Sequence, residues 1–332
     1  MHSNKIAVIG SNSFSGASFS SYLLKKGYEV FGFSRSSEPN EVFLPYKWSK
    51  KESSNFVYNK VDLNHDHEKL IQIIKDSKIK NVVNFAALGM VAQSWEKPED
   101  WYRTNVVGQV KFHDALRKIE TIEKYIHVTT PEVYGSTNGW VKENFNFSPS
   151  TPYAVSRAAC DLHLMSFYKA YDFPVIFTRA ANVFGPGQQL YRIIPRAILY
   201  SKMNMQLELH GGGLSERSFI HIDDVSSATY SILKKGIHGE CYHISTNELI
   251  SIRDLVKMIC ETIDVDFNSL VLSSNERLGK DQSYKLDSTK LRNEFKWSEK
   301  TSLKDGIEQT VDWIHSNFDI LKNLPHNYIH KA

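Results

Sequence analysis

The chain has 332 residues, 41% of them hydrophobic, enough to bury a full core in one large α/β domain with a smaller second lobe. Its 40 basic and 37 acidic residues leave a net charge of only +3 with no basic block, which argues against nucleic acid as a partner. No apolar run approaches the roughly 20 residues of a membrane-spanning helix, and three cysteines, an odd number without metal-ligand spacing, fit a reducing cytoplasm.

The first strand is expected over Lys5–Ile9, a continuous apolar run suited to burial on both faces of a parallel sheet. A strand so near the start leaves no room for a secretory signal, which again points to the cytoplasm. The loop Gly10-Ser11-Asn12-Ser13-Phe14-Ser15-Gly16 follows, then a helical pattern through Tyr22, Leu23 and Leu24, then a second strand over Tyr28–Phe33. Strand, glycine turn, helix and strand form the βαβ unit that sets a helix N-terminus against a phosphate. Gly10 allows the tight turn and Gly16 lets the helix sit close on the strand. The second strand runs into Ser34-Arg35-Ser36-Ser37. An acidic residue there would hold the adenosine ribose 2′-hydroxyl; a guanidinium among hydroxyls suits a 2′-phosphate, which favours NADP over NAD as cofactor.

A third strand over Asn55–Tyr58 leads to Asp62-Leu63, and a fourth over Lys80–Phe85 delivers Asn84-Phe85-Ala86-Ala87, whose small residues let backbone lie against a ribose and diphosphate. The loop Leu88–Asp100 carries Gln93, Ser94 and Trp95, and Pro98 opens a long helix containing Thr104-Asn105-Val106-Val107-Gly108. The fifth strand, Lys124–Val128, ends at Thr129, Thr130 and Glu132, and a later helix opens at Tyr153 with Arg157 one turn on. A hydroxyl, a carboxylate, a phenol and a fixed positive charge thus converge, a reaction centre that needs a cofactor. After the strand Pro174–Thr178, the turn Gly185-Pro186-Gly187 stops regular structure and the second lobe begins. There Arg192 opens a helix, Leu207–His210 forms a strand, and Arg217 offers a planar fork for phosphate oxygens. Helices around Ile252–Ile263 and Ser302–Asn317 are packing elements, and the tail from Leu324 reads as peripheral. His65, His67 and His113 lack ligand spacing, so no metal site is expected.

These segments resemble the extended short-chain dehydrogenase/reductase family, and within it the nucleotide-sugar 4,6-dehydratases of the GDP-mannose and dTDP-glucose type. Thr130-Pro131-Glu132 matches their Thr-x-Glu, Tyr153 to Arg157 their Tyr-x-x-x-Lys, and Arg179 to Gln188 their R-x-x-N-x-Y-G-P-x-Q. The resemblance implies a Rossmann-type doubly wound parallel sheet over residues 1–180, with later segments returning to it, and a smaller sugar-nucleotide lobe mainly over 181–332. It implies that Gly10, Ser13, Phe14, Ser15, Gly16, Ser34, Arg35, Asp62, Leu63, Phe85, Ala86, Ala87, Asn105, Tyr153 and Arg157 surround the dinucleotide. Gln93, Ser94, Asn182, Arg192 and Arg217 are implied to meet the substrate.

The implied chemistry is transient C4 oxidation of a nucleoside-diphosphate hexose with Tyr153 as base, assisted by Thr130 and Arg157. Glu132 then removes the C5 proton, water leaves from C5 and C6, and hydride returns to C6, giving a 4-keto-6-deoxy sugar. Three positions depart from the family: Ser13 replaces the middle loop glycine, Pro131 stands where many members carry Asp or Ser, and Arg157 replaces the lysine. Two alternatives stay open: a 4-epimerase or 4-reductase in which Glu132 only positions the sugar, and a dinucleotide sensor without turnover. Family members commonly pair as homodimers through the long helices after the fourth and fifth strands.

Overall fold

The computed structural model describes residues 4–137, 139–274 and 285–331. Seven strands form one parallel sheet: β1 (Lys5–Ile9), β2 (Glu29–Ser34), β3 (Phe56–Lys60), β4 (Asn81–Asn84), β5 (Lys124–Thr129), β6 (Val175–Ala180) and β7 (Cys241–Ile244). Their spatial order is β7-β6-β5-β4-β1-β2-β3, so the chain reverses direction across the sheet between β1 and β4. In doubly wound folds ligands bind at that crevice, beyond the carboxyl ends of the strands. The alternation along β1 shows why the sheet is buried twice: Ile6 and Val8 enter one apolar cluster, Ala7 and Ile9 the other.

The helix Phe14–Lys25 starts where Ser13 accepts a hydrogen bond from Gly16 N, and the helix Ile222–Lys235 packs beside it on the same face. That second helix and β7 come from the later half of the chain and lie on or in the large sheet. The helices Ile193–Lys202, Ile252–Thr262 and Leu303–Ser316 enclose a separate core with Leu207 and Leu209 of the strand Leu207–His210. The small strands of this lobe pair Asn182–Phe184 with Phe219–His221 and Leu207–His210 with Val271–Ser274. The long helix expected from Pro98 is built in three pieces: Pro98–Tyr102, a π-helical segment Arg103–Gly108, and Gln109–Leu116. Among the described residues, no helix is long and apolar enough to cross a membrane.

Beneath the ends of β5 and β6 lies a buried polar network. Asp161 is 0% exposed and accepts from Arg179 Nη2 at 2.9 Å. Arg179 Nη1 donates to the Tyr134 hydroxyl at 2.6 Å, which lies 2.9 Å from His243 Nε2. His113, His127 and Cys160 also bring their ligand atoms within 4.8 Å of one another. The Arg157 guanidinium 3.4 Å from His127, and the Tyr125 hydroxyl on His113 Nε2, make that cluster a poor host for a cation.

Burial holds three of these histidines neutral. His113 and His127 are lowered well below 6.5, mainly by desolvation and with Arg157 adding to it; His243 falls to about 3, by burial and then by Arg179. The unfolded chain takes up these protons as pH falls through 6.5 while the native chain refuses them, so stability is lost progressively from pH 6.5 toward 3. His243 alone is expected to cost about 2 kcal/mol at pH 5. Urea denaturation at pH 7 and pH 5 checks this: the midpoint falls at pH 5, and an unchanged midpoint contradicts it.

Candidate active site

The catalytic group assembles because β5 and the helix Pro152–Tyr171 end and begin at the same edge of the sheet. Thr130 leaves β5 in extended conformation and caps the short 3₁₀ turn Pro131–Tyr134, its hydroxyl accepting from Glu132 N at 3.3 Å. Pro131 takes the first position of that turn, where a missing N–H costs nothing, and is buried. It therefore shapes the turn that presents Glu132 and has no proton to give. Thr151 caps the following helix by accepting from Ala154 N at 3.1 Å, with Pro152 at the first helical position. Tyr153 comes next, 9% exposed and packed with Leu88 and Trp101.

All four expected catalytic residues meet. The Thr130 hydroxyl hydrogen-bonds the Tyr153 phenol, while Glu132, Arg157 and Arg192 act on it electrostatically. Burial first, then the Glu132 charge, raises the phenol above 10; Arg157, the Thr130 hydrogen bond and Arg192 pull it back only in part. Tyr153 in the protein alone is thus neutral, and a further positive charge is needed to make it a base near neutrality.

Arg157 is 2% exposed. One Nη donates to the Val128 carbonyl and approaches His127, so part of its fork is turned into the core. Its Nε and Nη1 are buried without a hydrogen-bond partner among the described residues.

The loop after β1 is shaped for a dinucleotide. Gly10 has φ +81°, and a side chain there would lie 2.8 Å from Ala86 N; one at Gly16 would lie 2.3 Å from the Gly10 carbonyl. Only glycine lets this loop, the end of β4 and the helix start nest together. Phe14 is buried, Ser15, Phe85 and Ala86 are half-buried, and Ala87 is exposed, all near this crevice. Leu63 is buried, and Asp62 turns its carboxylate to Asn64 N at 2.8 Å. Ser34 is buried and accepts from Asn12 N at 2.9 Å.

Several residues expected to contact ligands bond within the protein. Ser13 donates to the Gly10 carbonyl at 2.7 Å and accepts from Gly16 N at 3.1 Å, so its hydroxyl closes the loop. Ser94 is fully buried, accepts from Tyr153 N at 3.2 Å and donates to the Val91 carbonyl, which places it behind the site. Asn105 accepts from Leu88 N at 2.8 Å and donates to the Leu88 carbonyl at 3.0 Å and to Ser156 at 3.0 Å. It braces the loop after β4 against the helix Pro152–Tyr171. The π-helical segment carries it there, an irregularity common at functional sites.

Of the residues expected to meet the substrate, Gln93 has its Oε1 buried without a hydrogen-bond partner among the described residues. Asn182 opens the strand paired with Phe219–His221. Arg192 is the exposed N-cap of the helix Ile193–Lys202. Arg217 is half-buried and donates to the Glu216 carbonyl at 2.7 Å. Asp224 is committed elsewhere, accepting from Lys300 N and Thr301 N.

Sequence reasoning missed two features. Asn12 Nδ2 donates to the Ser36 and Ser37 carbonyls and ties the first loop to the end of β2; an amide in a glycine loop was the available signal. The tail is not peripheral: Lys331 O accepts from Arg35 Nη2 at 2.7 Å, and His330 pairs with Asp100 at 2.8 Å. No periodicity announces such a segment.

The family described as GDP-mannose 4,6 dehydratase matches residues 8–310. The dTDP-D-glucose 4,6-dehydratase of Homo sapiens is 33% identical over 282 residues, 83% of this chain and 79% of that one. A trifunctional UDP-glucose 4,6-dehydratase, 3,5-epimerase and reductase of Arabidopsis thaliana is 31% identical over 271 residues, 80% of this chain but 40% of that longer protein. Among solved structures, the dTDP-glucose 4,6-dehydratase of Bacillus anthracis in complex with NAD superposes with a TM-score of 0.85 at 29% identity, covering 96% of this chain and 98% of that one. Solved 4-epimerases share the fold as well. The glycine loop, the Thr130–Tyr153 pair and the matched length agree: this chain belongs to the GDP-mannose 4,6 dehydratase family of extended short-chain dehydrogenases/reductases.

Proposed function

We propose that the protein is a nucleotide-sugar 4,6-dehydratase that turns a nucleoside-diphosphate hexose into its 4-keto-6-deoxy product. The observation that carries this is Glu132, set by the Pro131 turn beside the Thr130–Tyr153 hydrogen bond and close enough to raise the phenol. A 4-epimerase needs the hydroxyl and the phenol but no carboxylate there.

A bound nicotinamide dinucleotide would supply the hydride acceptor, the hydride donor and the extra positive charge that Tyr153 lacks. The residues support the rest. Tyr153 takes the C4 hydroxyl proton, with Thr130 holding the C4 oxygen and Arg157 stabilising the phenolate. A C4 ketone makes the C5 hydrogen acidic, and Glu132 removes it. Pro131 cannot protonate the departing C6 hydroxyl, so Glu132 passes the C5 proton to that oxygen and water leaves; once C6 has gained hydride, Glu132, reprotonated from solvent, returns a proton to C5, and Tyr153 releases the C4 hydroxyl proton to solvent. Arg192 and Arg217 would pair with the substrate diphosphate.

For the dinucleotide we infer NAD, because one Arg35 nitrogen is already committed to the Lys331 carbonyl; NADP, suggested by Arg35 itself, requires that contact to open. The setting we infer is cytoplasmic, consistent with three cysteines that form no disulfide. We further infer a homodimer, supported by exposed Val107, Val155, Leu162 and Tyr171 on the helices after β4 and β5.

The test is a panel of UDP-, GDP-, dTDP- and CDP-hexoses incubated with the protein and read by mass and by alkaline ultraviolet absorbance. Dehydration gives loss of one water and the absorbance of a 4-keto sugar. Unchanged mass with a new sugar isomer supports epimerisation, and binding without product supports a sensor.

A further inference from the structure

The last residues of the chain form a strap from the small lobe to the dinucleotide crevice. Asn327 accepts from Arg196 Nη2 at 2.9 Å, and Tyr328 stands edge-on to Tyr191 at 5.4 Å between centroids. His330 stacks on Trp101 at 5.0 Å with the rings 10° from parallel, and its Nε2 lies 2.8 Å from Asp100 Oδ2. Trp101 in turn packs against Tyr153. Lys331 then places its carbonyl on Arg35 Nη2 at 2.7 Å. The strap therefore touches the helix that carries Arg192, the wall behind the catalytic phenol, and the end of β2, where the adenosine ribose lies in a doubly wound fold.

The contact at Arg35 is the informative one. A guanidinium meets phosphate through two parallel N–H bonds of one planar fork. Here one arm of that fork is occupied by a neutral backbone carbonyl, fixed in place by the ring stack and the Asp100 contact one residue earlier. A 2′-hydroxyl demands little of this arginine. A 2′-phosphate demands the fork, and to have it must displace Lys331 and loosen His330.

We propose that the C-terminal segment 325–331 sets cofactor choice: by holding Arg35 through the Lys331 carbonyl it withholds the guanidinium from a 2′-phosphate and keeps the site selective for NAD, and its release turns the site toward NADP. The proposal rests on the reading that a nicotinamide dinucleotide binds between β1 and β2. It also accounts for an arginine that points to NADP by sequence in a chain similar to a solved dTDP-glucose 4,6-dehydratase and a solved UDP-glucuronic acid 4-epimerase that hold NAD.

The experiment compares the full chain, a chain ending at Leu324, and His330→Ala, each with and without Arg35→Ala, all stripped of nucleotide. Calorimetry measures NAD and NADP affinity, and mass spectrometry identifies the nucleotide retained on purification. Ending the chain at Leu324 is expected to tighten NADP on the order of tenfold, the scale of one charged contact, with little change for NAD. His330→Ala moves NADP in the same direction by less, and Arg35→Ala abolishes both gains. If the shortened chain loses its circular-dichroism signal, the His330→Ala pair decides. Equal NADP affinity with and without the strap, or a gain that survives Arg35→Ala, overturns the proposal while leaving the dinucleotide reading intact. Binding of neither nucleotide to any form overturns both.

Discussion

Tyr153→Phe is expected to lower kcat by at least about a thousandfold, near the upper range for removing a general base, while nucleotide-sugar affinity changes little. The ring packs with Leu88 and Trp101, and phenylalanine preserves that contact. What it removes is the hydroxyl bonded to Thr130. Burial and Glu132 raise the phenol in the protein alone and the positive charge of a bound nicotinamide would pull it back, so wild-type kcat/KM is expected to rise with pH as the phenol ionises. Steady-state kinetics across pH measure both effects. A Phe variant with near-normal kcat would remove Tyr153 from the chemistry.

Glu132→Gln is expected to separate the two halves of the reaction. The amide keeps the shape of the side chain and the Thr130 cap on its backbone N–H, but it cannot take the C5 proton. Product formation should fall by about a thousandfold, the same general-base scale. Oxidation at C4 should persist, seen as a nicotinamide absorbance change on mixing with substrate. Losing the carboxylate also removes the second-largest cause of the raised phenol, so the rise of that first step with pH should shift to lower pH. Full dehydration in this variant would assign Glu132 a positioning role instead.

How much of this was legible beforehand depends on the kind of signal. The strands of the sheet and the glycine loop stand where continuous β-branched runs and Gly10 and Gly16 put them, because burial on both faces leaves an unbroken apolar pattern. The nearness of Thr130, Glu132, Tyr153 and Arg157 was legible from spacing, since a strand end and a helix start fix where Thr130 and Tyr153 emerge. The local bonds of Ser13 and Ser94 were not legible, for one shared reason. Short hydroxyl side chains reach nearby backbone before they reach a ligand, and both are spent on local bonds. The TNVVG motif was visible, but the extra residue per turn that swings Asn105 toward Leu88 was not. The strap was invisible because its contacts, from Arg196 to Arg35, join residues far apart in the chain.

Arg157 is the departure that tests the scaffold. A lysine would place one ammonium near the phenol; the arginine spreads its charge between Val128, His127 and two unpartnered nitrogens. Its charge still acts on the Tyr153 phenol and lowers it.

The central claim is that hydrogen leaves C4 of the sugar and returns at C6 of the same molecule. A nucleoside-diphosphate hexose deuterated at C4, chosen as whichever nucleotide the panel shows to be turned over, measures this directly. Deuterium in the C6 methyl group of the 4-keto product, read by NMR, is the predicted result. Deuterium found back at C4, or washed out into solvent, would contradict it.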